Sequence, residues 1–354
     1  LKDCRVDIEQ LKAKIAESEP IVDTSLCGLS LAGLDLSGAV FIRSDFSGCD
    51  LSAAVLRETS FVECDLAGAS LRQANLHLAT VHRCNAVGAD LSGMYAPSTS
   101  FTESVFERSC WSGADLEFAN LATSDFADAD LSAAKLEQAS FIECRFVNTV
   151  LQDAKLNGIV FYQADLRTAR FGTPGGDKCV FAMCKLAGQA WADAQWSRSQ
   201  FMEADLSGAD LSGARLTNCN FKGALLEQAS LQAVDAPQTL WLEAQLSGAD
   251  FSGARLPQSV WNGAQAQQAR FSRAMMRESV LQRCRFEACH FDGANLSYAD
   301  LAHAVLTGSE FDGADLFRAG LRGVHAEQTR GLDRTHAAPD DPETVTAESW
   351  CTGK

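Results

Sequence analysis

Thirteen cysteines and six histidines are the residues of this chain with the most chemistry to offer, as nucleophiles, disulfide partners or metal ligands. Their spacing decides among these. Cys49, Cys64, Cys84, Cys144, Cys179, Cys184, Cys219, Cys284 and Cys289 all fall in one phase of a five-residue register, the phase otherwise held by Ala. Cysteines that share a phase with alanine read as small buried apolar groups, and no disulfide framework is expected. Cys64 and Cys84 sit twenty residues apart, near enough in such a register to be bridged, although a reducing compartment argues against it. His77, His82, His290, His303, His325 and His336 show no paired spacing of a zinc or catalytic motif, so no metal is expected. Charged side chains recur at multiples of twenty, in the series Arg43, Glu63, Arg83, Glu103, then Glu143, Glu203, Glu243 and Arg283. Arg43 to Glu103 alternate in sign and are expected to form a surface ladder. Such a ladder has no pocket in which a carboxylate could serve as general acid or base. With no phosphate-cradling glycine loop, nucleophile elbow or triad-like cluster, the chain reads as a non-enzyme that needs no cofactor.

The register that places these residues is the dominant feature of the chain. From Leu26 to Leu321 every fifth residue is apolar without interruption, 60 centres of which 30 are Leu, 18 Phe and five Trp, the others being Met276, Val81, Gly176 and four alanines. A period of five fits neither a helix nor an alternating strand, so it defines a repeating supersecondary unit. Two residues before each centre the chain prefers Ala, Ser, Thr or Cys; one before, often Asp or Asn; after it, commonly Ser and then Gly, as in GADLSGADLSGARL. One large and one small inward side chain per unit suit a tube of fixed width, where a second Leu would overpack.

The unit Ala-Asp/Asn-Leu-x-x resembles that of pentapeptide-repeat proteins over residues 21–325. The resemblance implies an all-β solenoid, a right-handed quadrilateral β-helix in which four units make one coil, and hence about 15 coils. It also implies that the ends need caps. Residues 1–20 carry Ile8, Leu11 and Ile15 at helical spacing ahead of Pro20 and are expected to form an amphipathic capping helix. Residues 326–354 lose the register and read as a flexible tail or linker, with Trp350 a candidate for docking. The chain opens on Leu1 and not Met, which leaves a longer protein or a removed segment open.

Folded by twenty, the centres sort into four sides. The first carries Phe41, Phe61, Phe101, Phe141, Phe161, Phe181, Phe201, Phe221, Trp241 and Trp261. Its outward neighbours are apolar: Val40, Ile42, Val62, Ile142, Val160, Tyr162, Val180, Met202, Leu240, Leu242, Val260 and Val280. Two readings stand: β-branched residues packing along a flat, strand-like side, and an exposed stripe that binds a partner or a second copy of the chain. On another side Ala96, Gly176 and Ala236 replace the large centre, and Pro97, Pro237 and Pro257 follow centres; a dent is expected there, with 171–181 looped and ladder donors lost to proline.

A net charge of −16 and a pI near 4.8 argue against direct binding to nucleic acid or anionic membrane. No apolar run is long enough to span a membrane. The resemblance implies two classes of role. One is a non-enzymatic scaffold, cytoplasmic and bacterial, that docks protein partners on its apolar side, alone, as a homodimer, or as the repeat module of a larger or secretion-associated protein. The other is an acidic mimic of duplex DNA that binds DNA gyrase or topoisomerase.

Overall fold

Each five-residue unit folds as one ladder contact followed by one tight turn. The Leu26 amide donates to the Asp45 carbonyl of the next coil, and the Leu26 carbonyl accepts the Leu29 amide three residues on. The turn residue two after the centre lies at positive φ, +67° in Gly28, the pattern of a type II turn and the reason Gly recurs at this position. Ordinary residues adopt the same conformation where glycine is absent, Gln238 at φ 56° among them. The residue before the centre supplies a side-chain acceptor to the turn. Asp45 Oδ1 accepts the Ser47 amide at 2.9 Å, and Asn75 Oδ1 accepts that of His77 at 3.1 Å. The small residue two before the centre points inward, and several polar ones donate to a centre's carbonyl in the preceding coil, while Ser109 and Ser259 donate to a centre of their own coil. Thr59 Oγ1 meets Leu36 O at 3.0 Å and Cys289 Sγ meets Ala266 O at 2.8 Å.

The computed structural model describes residues 8–351 of the chain, and side chains for 8–346. They belong to two compact units, Leu1–Lys185 and Leu186–Lys354. In the first unit α1 (Ile8–Ala16) precedes strands β1 (Ile21–Val22), β2 (Val40–Ile42), β3 (Ser60–Val62), β4 (Thr80–His82), β5 (Ser100–Thr102), β6 (Asn120–Ala122), β7 (Ser140–Ile142), β8 (Val160–Tyr162), β9 (Gly175–Asp177) and β10 (Val180–Ala182). Nine of these, β1 to β8 and then β10, form one parallel sheet with a register of twenty, Phe41 opposite Phe61 and Phe141 opposite Phe161. The other sides of this unit pair through single-residue parallel bridges at the same spacing, from Ser25–Asp45 to Asp165–Lys185. The second unit holds β11 (Gln195–Ser197) and α2 (Pro342–Cys351), and its coils are otherwise joined by single bridges from Ala190–Asp210 to Glu310–Arg330.

The laddered turns are fewer than expected, since the sheet has nine strands where the centres imply fifteen coils, and the later coils are joined by single bridges only. Side-chain branching accounts for part of where strands form, although β4, β6 and β10 extend with His82, Ala122 and Ala182 at the same position. After the first-side centres of the first unit come Val22, Ile42, Val62, Thr102 and Ile142, which favour an extended backbone; after those of the second come Met202, Lys222, Leu242, Asn262 and Gln282, which turn.

Inside each unit the centres stack at the coil spacing. Phe41 and Phe61 stack with centroids 5.3 Å apart, Phe161 and Phe181 at 5.4 Å. In the second unit Phe201, Phe221, Trp241 and Trp261 continue at 4.8, 4.5 and 5.2 Å, and Phe251, Phe271, Phe291 and Phe311 form a parallel column. All nine in-phase cysteines are buried, and none is in a disulfide. Burial pushes the thiols of Cys144, Cys184, Cys284 and Cys289 up to about 12, as expected of core side chains.

The expected dent is absent at its prolines. The amide one after a centre takes no part in the ladder, so Pro97, Pro237 and Pro257 forfeit no ladder donor; their carbonyls accept from Leu78, Asn218 and Gln238. Proline at this turn position is favoured outright. Residues 171–181 are not looped either, since β9 crosses them and Gly158 donates to Asp177 O at 2.8 Å. A Cβ on Gly176 would meet Cys179 Sγ at 2.6 Å, which explains the missing large centre.

At the beginning of the first unit, α1 buries Leu11 fully and half-buries Ile8 and Ile15, and it ends in a left-handed cap at Ser18 (φ 57°), with Glu19 N bonded to Lys14 O at 2.9 Å. Residues 1–7 of the expected helix segment and the docking of Trp350 lie outside the described residues. In the segment expected as a flexible tail the chain returns to the last coil, with Arg318 N bonded to His336 O at 2.7 Å and Ala338 N to Ala319 O at 2.9 Å. It then forms α2. Asp341 caps that helix by accepting the Thr344 amide at 3.2 Å, and Pro342 occupies the first helical position.

Candidate interaction surface

The twelve apolar flanking residues of the first side divide between the units. In the first unit β2 and β3 bring Ile42 beside Val62, β7 and β8 bring Ile142 beside Tyr162, and β8 and β10 bring Val160 beside Val180. Each pair covers part of its own surface, and only Val40, Ile142 and Tyr162 are exposed, to 36–38%. In the second unit Leu240 bridges Val260, and Val260 bridges Val280, so three apolar side chains run in one column. All three and Leu242 are half-buried, while Met202 is 37% exposed. Both sequence readings thus have a physical basis here, cross-coil packing of branched residues and a surface that remains apolar.

The most exposed apolar side chains lie elsewhere. In the first unit Leu78, Tyr95 and Phe118 flank the side centred on Leu76, Ala96 and Leu116, and Phe118 is 54% exposed. In the second unit Met275, Tyr298 and Phe317 hold equivalent places, with Tyr298 edge-on to Phe317 and the Arg277 guanidinium 4.8 Å from the Tyr298 ring centre. The missed signal was a large apolar residue at turn positions that usually hold Ser, Gln or Gly, or, for Tyr95 and Met275, at the position that usually holds Asp or Asn.

The charged edge forms in part. Arg83 Nε contacts Glu103 Oε2 at 2.8 Å, whereas Arg43 makes two bonds to Asp23 instead of Glu63, at 2.8 and 2.9 Å. Asp23 is the better partner because the shorter carboxylate one coil away meets the guanidinium fork in both of its oxygens. Many remaining carboxylates serve the turns or pair with bases in their own column. Asp125 accepts the Ala127 amide at 2.9 Å and the Arg145 guanidinium at 2.7 Å; Asp235 pairs with Arg255 at 2.8 Å. Because Asn75, Asn220 and Asn295 make the same turn bond, the position requires an oxygen acceptor and not a charge.

One cluster of metal-ligating side chains escaped the sequence reading. His290, Asp292 and Glu310 meet on the second unit, because a solenoid of period twenty makes His290 and Glu310 neighbours. Local spacing could not reveal it; folding the chain by twenty would have.

Parallel bridges of constant register between five-residue units, behind a short helix, make this fold a parallel β-solenoid. The pentapeptide repeats family matches in eight copies, over residues 22–58, 54–93, 99–138, 144–172, 179–218, 209–237, 244–283 and 284–323, and the chain belongs to that family. Among solved structures it is similar to a trypsin-treated form of QnrB1, a plasmid-mediated fluoroquinolone resistance protein, at 20% identity and a TM-score of 0.33, covering 55% of this chain and 89% of that one. It is also similar to Rfr23 from the cyanobacterium Cyanothece 51142, at 19% identity and 0.22, covering 34% and 91%. HetL from the cyanobacterium Nostoc sp. Strain PCC 7120, a protein involved in heterocyst differentiation regulation, matches at 21% and 0.15, covering 91% and 97%. No curated protein matches the chain. No helix among the described residues is long and apolar enough to cross a membrane.

Proposed function

We propose that the chain is a non-enzymatic interaction scaffold that docks a protein partner, or a second copy of itself, on the apolar flanks of its first side. The observation that carries this reading is the Leu240, Val260, Val280 column with Leu242 and Met202 beside it, where the opposite side of the same unit offers Ser212, Gln232 and Ser252. Apolar area half-exposed on a side that otherwise turns in solvent gains free energy when a partner covers it, at about 25 cal/mol per Å². A reducing bacterial cytoplasm fits the free thiol at exposed Cys27.

Mimicry of duplex DNA toward a topoisomerase draws support from the net charge of −16. The bonding of the acids weakens it, because Asp at the turn position is interchangeable with Asn and several carboxylates are paired within their columns.

The test is a pull-down with the tagged full chain, eluted by a salt gradient, using three double variants: Leu242→Asp with Val260→Asp, Tyr298→Asp with Phe317→Asp, and Ser212→Asp with Gln232→Asp. Partner retention that survives salt and disappears only with the first variant supports the reading. Loss with the second alone moves the docking surface to the side of Tyr298. A topoisomerase that elutes at moderate salt regardless of all three favours the mimic, since exposed carboxylate contacts are screened.

A further inference from the structure

The cluster at His290 is built from rigid parts. His290 and Glu310 occupy equivalent positions in successive coils of the second unit, held by Phe271 N to His290 O at 2.7 Å, Glu310 N to Cys289 O at 2.9 Å, and Phe291 N to Glu310 O at 2.7 Å. Asp292 stands two residues after His290 and is anchored by Arg273 N to Asp292 O at 2.8 Å. These backbone bonds fix the Cα positions, leaving only side-chain rotation to close the set. His290 Nδ1 lies 3.0 Å from Glu310 Oε2 and 3.9 Å from Asp292 Oδ2, and one donor atom from each residue lies within 4.8 Å of the others.

One of those separations already matches what a small divalent ion asks of its ligands, and the Asp292 separation exceeds it by a few tenths of an ångström or more. Donor atoms on bonds of about 2.1 Å sit roughly 3.0 Å apart at octahedral and roughly 3.4 Å apart at tetrahedral angles. The imidazole–Glu310 distance already meets the requirement, and the approach of Asp292 needs a change well within one side-chain rotation. Both carboxylates also have outer partners of the kind that orient ligands. Arg330 Nη1 lies 3.6 Å from Glu310 Oε1, the oxygen turned away from the imidazole, and Ser272 Oγ donates to Asp292 Oδ2 at 3.4 Å.

We propose that His290, Asp292 and Glu310 bind a divalent transition-metal ion of the zinc class. The donor set chooses the class, because an imidazole nitrogen with two carboxylate oxygens suits Zn²⁺ and its neighbours and is a poor match for Ca²⁺ or Mg²⁺, which prefer oxygen throughout. On binding, the metal takes the Nδ1 lone pair, the ring proton resides on Nε2, and the hydrogen bond to Glu310 becomes a shared ligation. The three side chains are partly exposed, so water completes the coordination. A metal held this way ties two successive coils of the second unit. The site is independent of the apolar side and stands whether or not that side docks a partner.

The experiment uses the full chain, stripped with EDTA, dialysed and titrated with Co²⁺, a spectroscopic substitute for Zn²⁺. The expected result is one equivalent bound with visible d–d bands, no thiolate-to-cobalt charge transfer, and displacement by Zn²⁺. His290→Ala and Glu310→Gln each lower the affinity by about tenfold or more, while His325→Ala leaves it unchanged, all with native far-ultraviolet spectra. Absence of saturable binding overturns the assignment. So do thiolate charge-transfer bands, which place the ion on a cysteine, and binding that persists in both His290→Ala and Glu310→Gln.

Discussion

Ser259 should stabilise the protein mainly because Trp261 stands two residues later. The indole Nε1–H of Trp261, fully buried, donates to Ser259 Oγ at 2.7 Å. Ser259→Ala fits the volume, since Ala is the usual occupant of this inward position, but it strands the indole N–H. An unsatisfied buried donor costs about 1–3 kcal/mol. Ser259 Oγ also donates to Leu256 O at 2.7 Å, yet that carbonyl keeps a second donor in Ser279 Oγ at 2.9 Å, so little else is left unpaired. Removing the indole first, with Trp261→Phe, should therefore reduce the cost of Ser259→Ala to about 0.5–1 kcal/mol and give a coupling of about 1–2 kcal/mol in the double-mutant cycle. Urea titrations followed by far-ultraviolet circular dichroism measure each corner, provided the slopes agree. The protein contains its own control, because Trp241 is equally buried and its Nε1 has no partner among the described residues, with Thr239 two before it bonded instead to Leu216 O at 2.8 Å. The cycle between Thr239→Ala and Trp241→Phe should show coupling near zero. Equal costs of Ser259→Ala with and without the indole would refute the argument.

Two further outcomes concern the turns. Thr217→Pro places proline where Pro237 and Pro257 already stand and should change stability by less than about 1 kcal/mol, whereas Asn218→Pro, at φ 58° and donating to Pro237 O, should cost about 3 kcal/mol or more in the same urea titration. Bonds from the Ser37 hydroxyl and amide hold the Asp35 carboxyl below its ordinary value of 3.8, and Ser52 does the same for Asp50. A depressed folded value means that this stabilisation is complete above the unfolded value and is lost as pH falls below about 4. The melting temperature of the Asp35→Asn, Asp50→Asn chain should decline less steeply below that pH than that of the unaltered chain; identical acid limbs would contradict the assignment.

The solenoid was legible because one large inward residue in five cannot be placed otherwise, and the burial of Cys49, Cys64 and Cys84 follows from phase alone. Where sequence and structure part, the missing knowledge concerned the backbone. Pro97 and Pro237 look disruptive until the structure reveals that the amide they lack is outside the ladder. Residues 331–340 and α2 read as tail because they abandon the register; the Asp341–Pro342 pair was the local sign of a helix start. The candidate surface was legible as a list of flanking residues, but its exposure was not, since it depends on which branched side chain stands one coil away, as Ile42 does beside Val62. Arg43 illustrates the same limit, as two carboxylates were within reach and side-chain length chose Asp23.

Because surface neighbours are set by position modulo twenty while local folding is set by position modulo five, insertions fall into distinct grades within a unit. Twenty residues added after Ser230 would lengthen the second unit and leave every column downstream on its original side. Five residues added there would satisfy every turn and still place one large side chain inward per unit, yet break the stack of Trp241 on Phe221 and rotate all later columns by a quarter turn. Leu240, Val260 and Val280 would still lie on one another, but no longer in line with Asn220. A lineage could thus re-aim an intact surface patch to a new side through one small duplication that costs the core a single seam between coils.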